Sequence, residues 1–183
     1  MSAAQQYIAF LRAINVGGHT VKMADLRALF EELSFANVAT FIASGNVIFE
    51  SPNADARALE AQIERHLKQA LGYEVATFLR TTAELAAIAA YQPFAKADAE
   101  GSSLYISFVA APPTKEARQK LMALRSPTDD FHVHGREIYW LCRTKLSESA
   151  FSGALLEKTI GMPATMRSAT TVKKLAAKYP APQ

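Results

Sequence analysis

Residues 38–50 read VATFIASGNVIFE, two runs of β-branched and aromatic residues separated by Ser44-Gly45. Runs of this composition are typical of β-strands, and a glycine between them permits a tight turn. The stretch therefore predicts a β-hairpin with strands at 38–43 and 46–50. This hairpin decides the fold, because a helix is predicted on each side of it.

Both flanking helices are predicted from apolar residues at helical spacing. The first covers 23–33, and the second covers 54–71 and ends at Gly72. Apolar strands are predicted at 7–12, before the first helix, and at 75–80, after the second. The resulting order βαββαβ is that of a ferredoxin-like unit, in which two helices cover one face of a four-stranded antiparallel sheet.

The same order recurs in the second half of the chain. Strands are predicted there at 104–110, 131–134, 137–142 and 164–167. Helices are predicted after Pro113 and at 151–160. The hairpin between the middle two strands turns at Gly135-Arg136. The last strand follows Pro163, which cannot donate to a central ladder, so it is expected at the edge of its sheet. A final helix is predicted at 169–178.

The chain is therefore predicted to be an α+β protein of two ferredoxin-like (βαββαβ) units with antiparallel sheets, plus a C-terminal helix. The expected domains are 1–81, a connecting helix and linker at 82–102, and 103–183 with the helical tail. Residues 7–11 place apolar side chains on both faces of the first strand. The face that the helices leave open is expected to pack against the other domain or against a second subunit, so a homodimer remains open.

Composition excludes several classes of protein. Lys and Arg outnumber Asp and Glu by 20 to 17, a small excess that permits nucleic acid as a partner without indicating it. The first residues lack the basic start and apolar run of a signal peptide, and no apolar stretch approaches the length of a membrane span. Cys142 is the single cysteine, which excludes an internal disulfide. A cytoplasmic location without membrane association is expected.

Three segments of the first half carry a family resemblance. They are Leu11–Gly18 (LRAINVGG), Met23–Arg27 (MADLR) and Ser44–Phe49 (SGNVIF). Together they resemble the family catalogued as domain of unknown function 1697, an uncharacterised and mainly bacterial family. The resemblance implies a pair of ferredoxin-like domains and no established function.

Two positions depart from the family pattern. The family usually has glycine where this chain has Ala13. It also usually has Arg-Asn, one further residue and Asn-Thr where this chain has Arg167-Ser168-Ala169-Thr170-Thr171. An activity that depends on that asparagine pair is therefore not expected in this protein.

The two strongest motifs are predicted to meet at one edge of the first sheet, because the end of strand one lies beside the start of strand three. Glycines let a ligand approach the backbone, and helix N-termini and basic side chains attract anions. The predicted ligand is an anionic small molecule bearing a phosphate or carboxylate, or a nucleic-acid backbone. The predicted binding residues are Arg12, Asn15, Gly17, Gly18, Lys22, Ser44, Gly45 and Asn46.

Three alternatives stay open beside this hypothesis. The glycine motifs could simply form turns, with Asp25 complementing the helix dipole. A metal-independent enzyme could use the same edge, with His19 moving protons. A dimeric interaction module is the third. The chain has no Gly-x-x-x-x-Gly-Lys-Ser/Thr loop and no Gly-x-Gly-x-x-Gly fingerprint, so no cofactor is predicted.

His132 and His134 are predicted to lie on one face of a strand. This spacing is compatible with a metal, but no third ligand is evident in the sequence, so no metal is predicted. An exposed hairpin face is the expected explanation for the pair.

Overall fold

The computed structural model describes residues 3–15 and 17–183, and not the side chain of Ala97. The chain packs as two compact units, one formed by Met1–Ala86 with Leu175–Gln183 and the other by Ala87–Lys174. The predicted domain bounds follow the order of secondary structure rather than packing, and they stay a prediction. No helix in the described part of the chain is long and apolar enough to cross a membrane.

The first unit is a four-stranded antiparallel sheet in the order β2-β3-β1-β4, with two helices. Its elements are β1 (Gln5–Leu11), α1 (Met23–Glu31), β2 (Ala36–Thr40), β3 (Asn46–Ser51), α2 (Ala56–Leu71) and β4 (Thr77–Thr81). Leu26 and Phe30 of α1 and Ile63 of α2 join Phe49 in one buried core. Burying each such side chain stabilises the unit by roughly 1.5–3 kcal/mol.

The second unit repeats this arrangement, with the sheet order β6-β7-β5-β8. A helix α3 (Thr82–Ala90) leads into it. Its elements are α4 (Lys96–Ala99), β5 (Ser103–Phe108), α5 (Lys115–Met122), β6 (Asp129–His134), β7 (Glu137–Cys142), α6 (Gly153–Ile160), β8 (Thr165–Ser168) and the start of α7 (Ala169–Lys178). Two ferredoxin-like units and a C-terminal helix confirm the predicted fold class.

Local sequence signals explain where the helices begin and end. Thr81 and Glu84 form a reciprocal capping box at α3, with Thr81 N donating to Glu84 Oε2 at 2.8 Å and Glu84 N donating to Thr81 Oγ1 at 3.1 Å. Asp55 caps α2 by accepting from the amide of Ala58 at 3.1 Å. Gly72 ends α2 with φ 83°, the left-handed conformation that glycine adopts most readily.

One predicted strand is too long. The strand placed at 38–43 ends at Thr40, and residues 41–45 form the loop. Ile42 has φ 51°, a left-handed conformation in which a strand ladder cannot continue. The amide of Phe41 instead donates to the carbonyl of Asn46 at 3.0 Å, which closes the loop.

The edge strand β4 is protected by carboxylates. The amide of Thr77 donates to Glu64 Oε1 and the amide of Leu79 donates to Glu60 Oε1, each at 2.9 Å. Both glutamates come from α2. They occupy backbone donors that a strand of another molecule would otherwise pair with, so they disfavour aggregation through this edge.

A buried arginine occupies the same place in both sheets. Arg80 of β4 lies opposite Ile8, and Arg167 of β8 lies opposite Ile106. Each donates from Nη1 to the carbonyl of the residue before it, at 2.8 and 2.9 Å. Burial lowers the pKa of Arg167 to about 10. The shared position supports the internal repeat that the strand order indicates.

Candidate functional site

The end of β1 and the start of β3 meet at one edge of the first unit. Phe10 lies opposite Asn46, and the amide of Leu11 donates to the carbonyl of Gly45 at 2.9 Å. We call the loops at this edge, residues 12–22 without residue 16 and residues 41–45, the loop edge. The structure thus brings together the two segments that hold the predicted binding residues.

Asn15 joins three parts of the loop edge. Its side-chain amide donates to the carbonyl of Ala43 at 3.0 Å, and its side-chain oxygen accepts from the amide of Val21 at 2.8 Å. The first bond reaches the β2–β3 loop, and the second reaches the approach to α1. Both the nitrogen and the oxygen of the Asn15 side chain therefore form hydrogen bonds that connect these loops.

Asn46 is wholly buried, at 0 % exposure. Its side-chain amide donates to the carbonyl of Phe41 at 3.0 Å and to Oγ of Ser44 at 2.9 Å. These bonds hold the loop between β2 and β3. A ligand at the surface cannot reach this amide without displacing the loop.

Other predicted residues face the solvent. Gly17 and Gly18 are exposed, with φ 65° and 85°, and a Cβ on either would meet nothing within 4 Å. Lys22 is exposed and stands at the N-cap of α1, where it makes no side-chain capping bond. Arg12 is half-buried. The backbone around the glycines is therefore open to a ligand.

Two non-glycine residues of the loop edge have strained backbones. Ala13 has φ 53° and Ile42 has φ 51°. Positive φ is uncommon for residues other than glycine, and it is rarest for β-branched residues such as isoleucine. Ile42 is also 54 % exposed. Strain of this kind clusters at functional sites. No sequence signal marked Ile42, but the glycine that the family usually has at position 13 fits the left-handed backbone of Ala13.

His19 packs against an aromatic ring. Its imidazole stacks on Tyr73 with a centroid distance of 3.8 Å, and the hydroxyl of Tyr73 donates to the carbonyl of Ile14 at 3.4 Å. This contact places the β4 approach beside the loop edge. A proton-transfer role for His19 stays a prediction.

The two histidines of β6 contact a tyrosine that sequence reasoning missed. The hydroxyl of Tyr91 lies 2.7 Å from Nε2 of His132, and its ring stacks on His134 at 4.0 Å. Burial and the neighbouring His134 lower the pKa of His132, while Asp130 partly offsets them. Among the described residues, no group of three or more His, Cys, Asp or Glu side chains could hold a metal ion.

The segment that departs from the family pattern has a capping role. Ser168 Oγ accepts from the amide of Thr171 at 3.2 Å and donates to Thr171 Oγ1 at 3.0 Å. Ser and Asn are both favoured at helix N-caps. The substitution of serine for the family's asparagine therefore preserves the start of α7.

Comparison with known proteins places the chain in a family. Residues 4–139 match the family described as protein of unknown function (DUF1697). The chain belongs to this family. A conserved bacterial protein from Streptococcus pneumoniae has a similar solved structure, with a TM-score of 0.74 at 21 % identity over 96 % of this chain and 98 % of that one. This likeness supports the fold alone. No curated protein matches the sequence.

Proposed function

We propose that this DUF1697 protein binds a small molecule bearing a phosphate or carboxylate at the loop edge. The open backbone at Gly17 and Gly18, next to a helix start whose N-cap residue Lys22 makes no side-chain capping bond, is the observation that carries the proposal. The backbone amides of a helix N-terminus attract anions, and glycines allow an anion to come close to the backbone.

The charges at the loop edge partly support this role. Arg12 and Lys22 are basic; Arg12 is half-buried and Lys22 is exposed. Asp25 lies in the first turn of α1 and opposes an anion there. We therefore expect modest affinity that falls as salt is added.

The eight predicted residues divide into two groups. Asn15, Gly45 and Asn46 hold the loops in place, and Ser44 accepts the bond from Asn46. Direct contact with the ligand is assigned to Arg12, Gly17, Gly18 and Lys22. Substituting a residue of the first group tests folding, whereas substituting Lys22 tests binding.

A small anion is favoured over a nucleic-acid backbone as the ligand. A long polyanion needs a wide basic surface, and the whole chain has a formal net charge of only +3. We place the protein in the cytoplasm, where its single, buried Cys142 would remain a thiol.

The test is thermal unfolding in pyrophosphate, ATP and citrate, each compared with sodium chloride at equal ionic strength. A ligand at about 100 times its dissociation constant adds roughly 2.7 kcal/mol to the free energy of unfolding. We expect at least one of the three to raise Tm in the wild type and to raise it much less in Lys22→Gln.

Lys120→Gln is the matched control, because Lys120 is an exposed lysine on α5 of the second unit. It should respond like the wild type. Equal shifts in Lys22→Gln and the wild type, or no shift with any of the three anions, would contradict binding at the loop edge. The glycines would then serve the architecture alone.

A further inference from the structure

A cavity of about 490 Å³ opens beside β5 in the second unit, next to the end of α3 and the segment that follows it. Small-molecule pockets have volumes of roughly 300–1,000 Å³. Ile88, Phe94, Leu104 and Ile106 are among the residues that line it. The body of a ligand would therefore meet mainly apolar side chains, and the lining residues that the structure describes all belong to one unit.

One wall of the cavity is held by contacts with neighbouring rings. Tyr91 lines the cavity, and its hydroxyl lies 2.7 Å from Nε2 of His132. Its ring also contacts His134 and Tyr139, with centroid distances of 4.0 and 5.3 Å. Tyr139 is buried and donates to the carbonyl of Ile88 at 3.3 Å. Because these contacts already hold the wall in place, less conformational entropy is lost when a ligand binds.

The charged side chains that line the cavity are basic. Lys96 of α4 and Lys173 of α7 contribute to its lining and are both exposed, and its described lining residues include no Asp or Glu. A lysine packs its hydrocarbon stem along an apolar surface while its ammonium group stays in water. A cavity with mainly apolar lining and two exposed lysines among its lining residues suits a molecule that is apolar at one end and anionic at the other.

We infer that this cavity binds a small monocarboxylate with an apolar body. The hydrocarbon part packs against Ile88 and Ile106, and the carboxylate pairs with Lys96 and Lys173. The site is independent of the loop edge, which lies in the first unit. Phosphate alone would leave the apolar interior unfilled, and a neutral hydrocarbon would leave the lysines without an anion.

Equilibrium dialysis with radiolabelled octanoate tests this inference on the full chain. We expect saturable binding that unlabelled octanoate displaces. Octan-1-ol has the same chain length without the charge, so it should compete at least ten times more weakly. Acetate has the charge without the apolar body, so it should not compete.

Variants locate the bound octanoate. Lys96→Gln combined with Lys173→Gln should weaken binding at least tenfold, because both charge-assisted contacts with the carboxylate are lost. Ala89→Phe places a ring in the cavity and should abolish binding, since Ala89 is part of the lining. Lys174→Gln removes the next lysine along α7, which does not line the cavity, and should bind like the wild type. Lys22→Gln should also bind like the wild type, which separates this site from the loop edge.

Failure to bind octanoate would overturn the inference. It would also be overturned if octan-1-ol competed as well as octanoate, or if Ala89→Phe bound octanoate normally while keeping the wild-type Tm. Loss of binding in Lys22→Gln, but not in the lysine pair variant, would move the carboxylate to the loop edge and would equally overturn it.

Discussion

A Cβ atom at Gly45 would lie 2.7 Å from Cγ2 of Ile14, closer than such atoms approach in folded proteins. It would also lie 3.2 Å from Cβ of Leu11. Gly45 is therefore the point at which the β2–β3 loop packs directly onto the end of β1 and the loop that follows. The position needs glycine both for this contact and for its φ of 79°.

Gly45→Ala should destabilise the protein by about 2–4 kcal/mol, because overpacking and backbone strain act together. Gly17→Ala is the matched control: it has a positive φ of 65° but no neighbour within 4 Å of the added Cβ. It should cost only about 1 kcal/mol from strain. Urea unfolding followed by circular dichroism measures both, and equal losses in the two variants would contradict the close contact at Gly45.

Asn15→Ala should lower the free energy of unfolding by about 1–2 kcal/mol, since it removes the bonds to Ala43 and Val21. Gln62→Ala, at an exposed position of α2, should change it by less than about 0.5 kcal/mol. If Asn15 served only a ligand, its loss would leave the stability of the ligand-free protein unchanged. Urea unfolding of both variants decides between these roles.

Much of the fold is predictable because local patterns and packing agree. The strand at 137–142 and the helix at 169–178 have the predicted bounds, and Pro163 correctly indicates an edge strand. The strand predicted to reach residue 43 fails, since the left-handed Ile42 depends on how the loop packs rather than on its composition.

The sites are less predictable than the fold, because they depend on contacts between distant residues. The loop edge follows from strand order, which places Asn46 beside the end of β1. Strand order does not show which of these residues hold the loops and which are exposed to a ligand. Burial of the Asn46 amide, for example, depends on tertiary packing. Tyr91 and His132 are 41 residues apart, and no periodicity links them.

Asp129→Ala should destabilise the second unit by about 3 kcal/mol at pH 7, because it leaves the buried indole N–H of Trp140 without the carboxylate that accepts its bond at 2.8 Å. Trp140 is the single tryptophan, so its fluorescence reports unfolding of this unit directly. Asp130→Ala is the control, since Asp130 forms a partly exposed ion pair with Arg125 and should cost at most about 1 kcal/mol.

The cost of Asp129→Ala should depend on pH. Burial raises the pKa of Asp129, but hydrogen bonds from Ser149, Trp140 and two further hydroxyls outweigh it and lower that pKa below its usual 3.8. The unfolded state therefore binds a proton first as the pH falls, and the stabilisation is present above about 3.8 and lost below it. A penalty that stays as large in strong acid as at pH 7 would contradict this charge-dependent role.

His132 should make the second unit less stable in mild acid. Burial, and then repulsion from His134, lowers the pKa of His132 below its usual 6.5, with Asp130 acting in the opposite direction. The imidazole of the unfolded chain thus binds its proton at a higher pH than that of the folded chain. The free energy of unfolding is therefore undiminished by this histidine above about pH 6.5 and decreases as the pH falls below that value. His132→Gln can still form a hydrogen bond with the Tyr91 hydroxyl but cannot titrate, so the decrease of stability below pH 6.5, followed by Trp140 fluorescence, should be smaller than in the wild type. A wild-type pH profile in His132→Gln would show that this imidazole is not linked to stability.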